Sequence, residues 1–211
     1  MRSPLRRKQL AFEERTARKG YRLIAGLDEA GRGPLAGPVV AAAAVLKSSR
    51  FSSRIDDSKR LTPRRREEAF LEILKNCWVG VGVVGVELIE ILNIFQATRL
   101  AMERALENFT VSPDFLLIDG RVPIQTDHPR LQIIHGDQKS LSIACASIVA
   151  KVLRDRLMNH YHTLYPDYGF IRHKGYGTPE HFRALERYGP SPIHRFGFHP
   201  VSEMTANADH S

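Results

Sequence analysis

Ala25-Gly26-Leu27-Asp28-Glu29-Ala30-Gly31-Arg32-Gly33-Pro34-Leu35-Ala36-Gly37-Pro38 decides how the rest of this chain is read. Residues 22–27 are short and apolar, and they read as a strand that runs straight into two adjacent acids. Gly31-Arg32-Gly33-Pro34 then turns the chain. Residues 39–46 form an unbroken apolar run, the pattern of a buried strand paired back onto the first. A single acid after a strand is more often a turn former or helix cap than a ligand. Two in succession are harder to explain that way. Neighbours on a strand point to opposite faces. Asp28 and Glu29 therefore serve one site only if the strand bends at Glu29, which Gly31 permits.

Further along, Thr62-Pro63 starts a helix expected to reach about Lys75, with Thr as cap and Pro in the first turn. Residues 78–86 alternate Val and Gly and read as a strand, and 86–108 carries apolar residues at helical period. Short apolar strands follow at 115–118 and 131–134. A long helix is expected over 140–164 and a last one over 179–187, with a frayed tail from about residue 200. Residues 6–19 suit a short helix. Its charge, carried by Arg6, Arg7, Lys8, Arg15, Arg18 and Lys19 against Glu13 and Glu14, reads as a solvated face. Helices separate several strands, so the fold class is α/β with a mixed sheet flanked by helices.

The chain has 211 residues, 43% hydrophobic and 26% charged, which suits one domain with a sizeable core. Its net charge of +8 favours a polyanionic partner, nucleic acid before a membrane surface. Cys77 and Cys145 lack metal-ligand spacing and read as free buried thiols of a reducing compartment. The basic N-terminus lacks an apolar segment of the signal-peptide kind. No apolar run approaches the roughly 18 residues of a membrane helix. A cytoplasmic protein with no membrane partner is expected. No heptad pattern is evident, so a monomer is expected too.

Two more acids share the context of the first pair: Asp119 follows 115–118 and precedes Gly120, and Asp137 follows Gly136. Ligands of open α/β sheets bind at the carboxyl ends of strands. Clustered carboxylates repel and raise one another's pKa, and a divalent cation removes that penalty. An all-oxygen donor set selects Mg²⁺ or Mn²⁺ over zinc. Two such ions about 3.5–4 Å apart serve phosphodiester hydrolysis. For Asp119 alone a turn or cap explains the residue as well, and Asp137 is the weakest of the set, since ending a turn before the helix at Ser140 would account for it.

The opening stretch resembles the signature of ribonuclease HII, and the resemblance continues in order. Asp57-Ser58-Lys59 comes next with Leu61-Thr62, then Leu117-Ile118-Asp119-Gly120 and Gly136-Asp137 with Lys139-Ser140. Ser142-Ile143-Ala144, Ala146-Ser147-Ile148, Ala150-Lys151-Val152 and Arg154-Asp155 follow, and then His173-Lys174-Gly175-Tyr176-Gly177-Thr178 and His194-Arg195. The blocks span roughly residues 20–200, and Cys145 stands where the family usually has a smaller residue such as Ala.

The resemblance implies a ribonuclease H-like sheet over 21–165, with a basic extension at 1–20 and a small helical, substrate-binding extension at 166–211. It implies endonucleolytic cleavage of the RNA strand of RNA–DNA hybrids. It also implies incision 5′ of ribonucleotides embedded in duplex DNA, leaving 5′-phosphate and 3′-hydroxyl ends. Asp28, Glu29, Asp119 and Asp137 carry over as ligands of two Mg²⁺ or Mn²⁺ ions with substrate bound. Gly31-Arg32-Gly33 matches the family's sensor of the ribose 2′-hydroxyl, and Tyr176 matches the tyrosine that stacks on the adjoining sugar.

These supporting residues have physical reasons. Glycines let backbone approach a sugar and expose amides, and the 2′-hydroxyl is what distinguishes RNA from DNA. Arg32 can clamp a phosphate. Lys139, Ser140 and Ser147 lie at or near a helix start, where amides favour phosphate; for Ser140 an ordinary cap explains the residue as well. Lys151 and Asp155 are spaced for an i,i+4 ion pair. A junction-resolving DNA nuclease and a binding module with a vestigial site are the rival functions. The first needs no 2′-hydroxyl sensor, and the second gains nothing from clustered acids.

Overall fold

The apolar run expected to be buried on both sides becomes the heart of the sheet. In the computed structural model, which describes residues 9–208, Val39–Leu46 is strand β2, paired antiparallel with β1 (Ile24–Ala30) and with β3 (Cys77–Val84). Strands β4 (Phe115–Asp119) and β5 (Arg130–Ile133) extend the other edge in parallel, giving the order β3-β2-β1-β4-β5. The helices are α1 (Ala11–Ala17), α2 (Pro63–Asn76), α3 (Val86–Glu107), α4 (Gly136–Lys139), α5 (Leu141–Leu164), α6 (Phe170–His173), α7 (Pro179–Tyr188) and α8 (Val201–Ala208).

Alternation along β2 divides the core. Val40, Ala42 and Ala44 pack with α5 and with Ala69, Phe70 and Ile73 of α2. Val39, Ala41, Ala43 and Val45 pack with Ala97, Ala101, Met102 and Ala105 of α3. Both faces are covered, which is why the strand reads as continuous apolar sequence. The small residues have a purpose. A Cβ on Gly26 would collide with the backbone of Ser142 and Ile143, and one on Gly82 with the carbonyl of Ala101. Helix backbone thus lies directly on strand backbone at both faces. Gly26 and Asp28 share the α5 face by the two-residue strand period.

Several expectations are corrected. The first strand does not end at residue 27. Its ladder continues through Asp28↔Ala42, Glu29↔Ala41 and Ala30↔Val40, so no bend occurs at Glu29. The helix over 86–107 is broken at Asn93 (φ 64°), whose Oδ1 accepts from the amides of Phe95 and Gln96 and starts the second half. The apolar period continues across the break and conceals it. The N-terminal helix keeps Glu14, Arg15, Arg18 and Lys19 on an exposed face, as expected, while its other side is docked: Glu13 is buried, Leu10 joins the core, and the Gln9 amide donates to the carbonyl of Ile55 at 3.1 Å. Its earlier basic residues Arg2, Arg6, Arg7 and Lys8 lie outside the described residues. The tail is helical over Val201–Ala208, with Val201 buried.

Beyond α5 the chain folds its short helices over Leu35, Ala36 and Met158, with Phe170, Leu185 and Ile193 at the centre. His173, His181 and His194 are buried there. The His181 and His194 rings meet Nε2 to Nε2 at 2.9 Å, and burial pushes both pKa values down to about 4. They are internal polar groups of the extension. Among the described residues no helix is long and apolar enough to cross a membrane.

The backbone contact at Gly26 yields a prediction. Gly26→Ala inserts a methyl group between β1 and α5 and costs about 3 kcal/mol, at the upper end for overpacking. For a chain of this size that lowers Tm by roughly 6–12 °C, read by thermal melting. An unchanged Tm would contradict the packing.

Candidate active site

Strands β1 and β4 run parallel, so their carboxyl ends open on the same edge of the sheet. There lies a cavity of about 560 Å³. Asp28, Glu29, Asp119 and Asp137 all line it, with Gly31, Arg32, Gly33, Ser147 and Tyr176 around them. Asp28 and Glu29 reach it from opposite faces of one strand, because the cavity wraps around the strand end. Asp137 arrives differently: His135 takes a left-handed conformation (φ 55°) and launches α4, whose first turn carries the acid.

Three of the four carboxylates, Asp28, Glu29 and Asp137, are strained electrostatically. Burial first, then repulsion from Glu29 and Asp119, raises the Asp28 pKa well above the usual carboxylate range; the Ser147 hydroxyl and the Glu29 amide, which donates to Oδ1 at 2.7 Å, offset part of this. Glu29 is raised mainly by burial, although Arg32 sits 3.2 Å away and opposes the shift. Asp137 is pushed up to about 6 by burial, with Asp57 and Asp119 adding repulsion. Asp119 Oδ1 accepts from the Gly136 amide at 2.6 Å, which ties β4 to the turn that carries Asp137.

Among the described residues, no cluster of three His, Cys, Asp or Glu side chains is drawn in tightly enough to hold an ion as it stands. The acids turn instead to Arg32 and to backbone amides. The donors gathered at the cavity are carboxylate oxygens, the set that a small hard cation takes.

Cations form the walls. Lys59, Arg66 and Lys151 line the cavity. Asp155 holds two of them, accepting from Lys151 at 2.7 Å and Arg66 at 3.2 Å, the ion-pair role its spacing suggested. Tyr176 is 42% exposed and stands beside Gly33: a Cβ on that glycine would lie 3.7 Å from the tyrosine ring. Gly31 has φ +104°, and a Cβ there would strike Arg154 and Pro38, so only glycine fits.

Two of the expected residues stand elsewhere. Ser140 is fully buried and caps α5, with its Oγ donating to Glu13 at 2.6 Å. Lys139 donates to the carbonyl of Ile134 at 2.6 Å and lies outside the cavity lining. Lys59 and Arg66 were not singled out from sequence, although Lys59 sits inside the Asp57-Ser58-Lys59 block. Arg154 and Arg195 were passed over as well. They are fully buried, and only the fold reveals them.

An acid floor and cationic walls at the carboxyl ends of parallel strands define a class, the hydrolases of phosphodiester bonds. Comparison with known proteins narrows it. Residues 25–201 match the family model described as Ribonuclease HII. The ribonuclease HII of Geobacter sulfurreducens is 53% identical over 193 residues, covering 91% of this chain and 89% of that protein. That of Thermotoga maritima is 50% identical over 187 residues, covering 89% and 77%. The crystal structure of ribonuclease H2 from Pyrococcus horikoshii OT3 superposes with a TM-score of 0.77 at 24% identity, covering 90% of this chain and all of that one, a likeness of fold. The chain belongs to the ribonuclease HII family and is a ribonuclease H.

The raised carboxyl pKa values fix the sign of a stability effect. A carboxyl whose folded pKa lies above its unfolded one costs nothing at low pH; its penalty accrues as pH rises past the unfolded value and is complete once pH passes the folded one. Asp28→Asn removes such a group. In chelator at pH 7.5 the variant melts a few degrees above the parent chain, and the gain falls away towards about pH 4, where the unfolded carboxyls protonate. A variant that melts lower at pH 7.5 would show that Asp28 is not held against repulsion.

Proposed function

We propose that this chain is a divalent-metal endoribonuclease that hydrolyses the RNA strand of RNA–DNA hybrids. On the same reading it incises 5′ of single ribonucleotides embedded in duplex DNA, leaving 5′-phosphate and 3′-hydroxyl ends. One observation carries the proposal: four acids share a cavity with the Gly31-Arg32-Gly33 turn and Tyr176, and burial pushes up the carboxyls of three of them, Asp28, Glu29 and Asp137.

Asp28, Glu29, Asp119 and Asp137 would hold the metal, Mg²⁺ or Mn²⁺. Two such ions, when bound, supply an activated water and stabilise the leaving oxygen. The chain's own groups do the rest. Lys59, Arg66 and Lys151 receive the phosphate backbone. Arg32, half exposed beside Glu29, can exchange that carboxylate for a phosphate once a cation neutralises it. Tyr176 offers a face for the sugar, and the amides of the Gly31–Gly33 turn offer donors to a 2′-hydroxyl. Lys139 and Ser140 are left out of substrate contact, since one donates to a carbonyl and the other to Glu13. Cys77 and Cys145 are buried and not joined in a disulfide, which supports work in a reducing compartment such as the cytoplasm. A monomer with no membrane partner is part of the proposal.

The test uses a duplex carrying one ribonucleotide beside an all-DNA control. Cleavage is expected only at the ribonucleotide, lost with chelator and restored by Mn²⁺. Asp119→Asn should bind the duplex about as tightly as the parent chain and lose cleavage by about 10³-fold or more, as expected when a transition-state interaction is removed. Cutting of the all-DNA duplex, or full activity of Asp119→Asn in saturating Mg²⁺, would sink the assignment.

A further inference from the structure

Two arginines are buried completely, and neither is used by the chemistry above. Among the described residues their side chains meet backbone carbonyls rather than carboxylates, and all but one of those carbonyls belong to residues 31–38. Arg195 donates to the carbonyls of Gly31 (2.6 Å), Arg32 (3.0 Å) and Pro34 (2.8 Å), and twice to Gly37 (2.8 and 3.1 Å). Arg154 donates to Pro38 (3.0 Å) and Ala36 (3.1 Å), and its third donor takes Lys174 (3.0 Å), beside the Tyr176 hairpin.

The backbone completes the clamp. Arg195 N donates to Leu35, Gly37 N to Ile193 and Leu35 N to Gly175. The loop is thus sewn to two segments of the C-terminal extension.

We infer that Arg195 is a specificity-determining positioning residue, one that sets the Gly31-Arg32-Gly33 peptides so that their amides face the cavity as fixed donors to a ribose hydroxyl. The geometry follows from peptide planarity. In a trans peptide the N–H points opposite to the preceding carbonyl. Arg195 takes the carbonyls of Gly31 and Arg32, so the N–H groups of Arg32 and Gly33 are turned to the other side, where these residues line the cavity. Charge-assisted donors also polarise the peptides they grip, which strengthens the opposite N–H as a donor.

Ordinary packing does not account for the pair. A buried guanidinium loses several kcal/mol of solvation, and an apolar side chain of similar volume is often as stable or more so. Here two like charges are buried together. Burial and the nearness of Arg154 both push the Arg195 pKa down, so the fold bears a repulsion that packing alone would avoid. Arg154 also lies 5.9 Å from the centre of the Tyr176 ring, which places both walls of the ribose site on one support.

This inference rests on the ribonucleotide reading above, and the experiment separates the two. Binding is measured in the Asp119→Asn background, with a duplex carrying one ribonucleotide and with the same duplex in all-DNA form. Asp119→Asn alone should prefer the ribonucleotide duplex. Adding Arg195→Lys keeps the charge and removes the planar fork. It should cut that preference about tenfold, the worth of roughly one hydrogen bond, while the Kd for the all-DNA duplex and Mn²⁺ binding by electron paramagnetic resonance stay unchanged.

A preference kept intact, or an equal loss for both duplexes, overturns the inference. Should Arg195→Lys fail to fold, Arg195→Gln, whose shorter planar amide reaches fewer of these carbonyls, should lower the same ratio. An unchanged ratio there overturns it equally. If the parent chain does not cleave at an embedded ribonucleotide, the proposed function fails, and fails independently of Arg195.

Discussion

The backbone of α5 rests against Gly26 of β1 with no room for a methyl group between them. That contact fixes the depth and rotation of a 24-residue helix relative to the strand that carries Asp28 and Glu29. One stripe of the helix then meets the cavity in sequence. Ser147 stands by Asp28, Lys151 is on the wall, Arg154 is beneath the Gly31–Pro38 loop and Met158 is against Gly37. These positions are spaced by four, three and four residues, the repeat of one helix face. The cavity thus depends on a strand and a helix held at backbone contact, and the loop residues hang from that pair.

The N-terminus of the same helix, beside that contact, is held from an unexpected quarter. Glu13 of α1 receives the hydroxyls of Ser140 and Ser142 and the Ser142 amide on one oxygen, at 2.6–2.9 Å. A carboxylate at a helix N-terminus is favourable both for its hydrogen bonds and for the helix dipole. Ser140 faces this carboxylate instead of the cavity, and Asp137 is three residues away. The N-terminal helix therefore belongs mechanically to the catalytic unit.

Much of this was legible. Thr62-Pro63 marked the start of α2 and does cap it. The doubly buried strand showed in its unbroken apolar run, and the Val-Gly alternation of β3 left room for α3. The acids were legible as strand-end residues, although β1 runs three residues beyond the expected end because its ladder with β2 outlasts its apolar stretch. Tertiary facts were illegible. Whether Ser140 looks inward or outward depends on Glu13, 127 residues away. That Arg154 and Arg195 are buried has no local signature, since arginine is ordinarily a surface residue. The break at Asn93 stayed hidden because the apolar period passes through it.

The clamp on the loop of residues 31–38 also has a direction in time. Arg195 grips the carbonyl of Arg32 across 163 residues of chain. A ribosome delivers the acids of β1 long before the guanidinium that orders their neighbouring loop. A nascent chain that has made Asp28, Glu29, Asp119 and Asp137 can gather its charged residues before it has the means to hold the loop. Ordering of the loop is therefore reserved for a chain extended at least through Arg195.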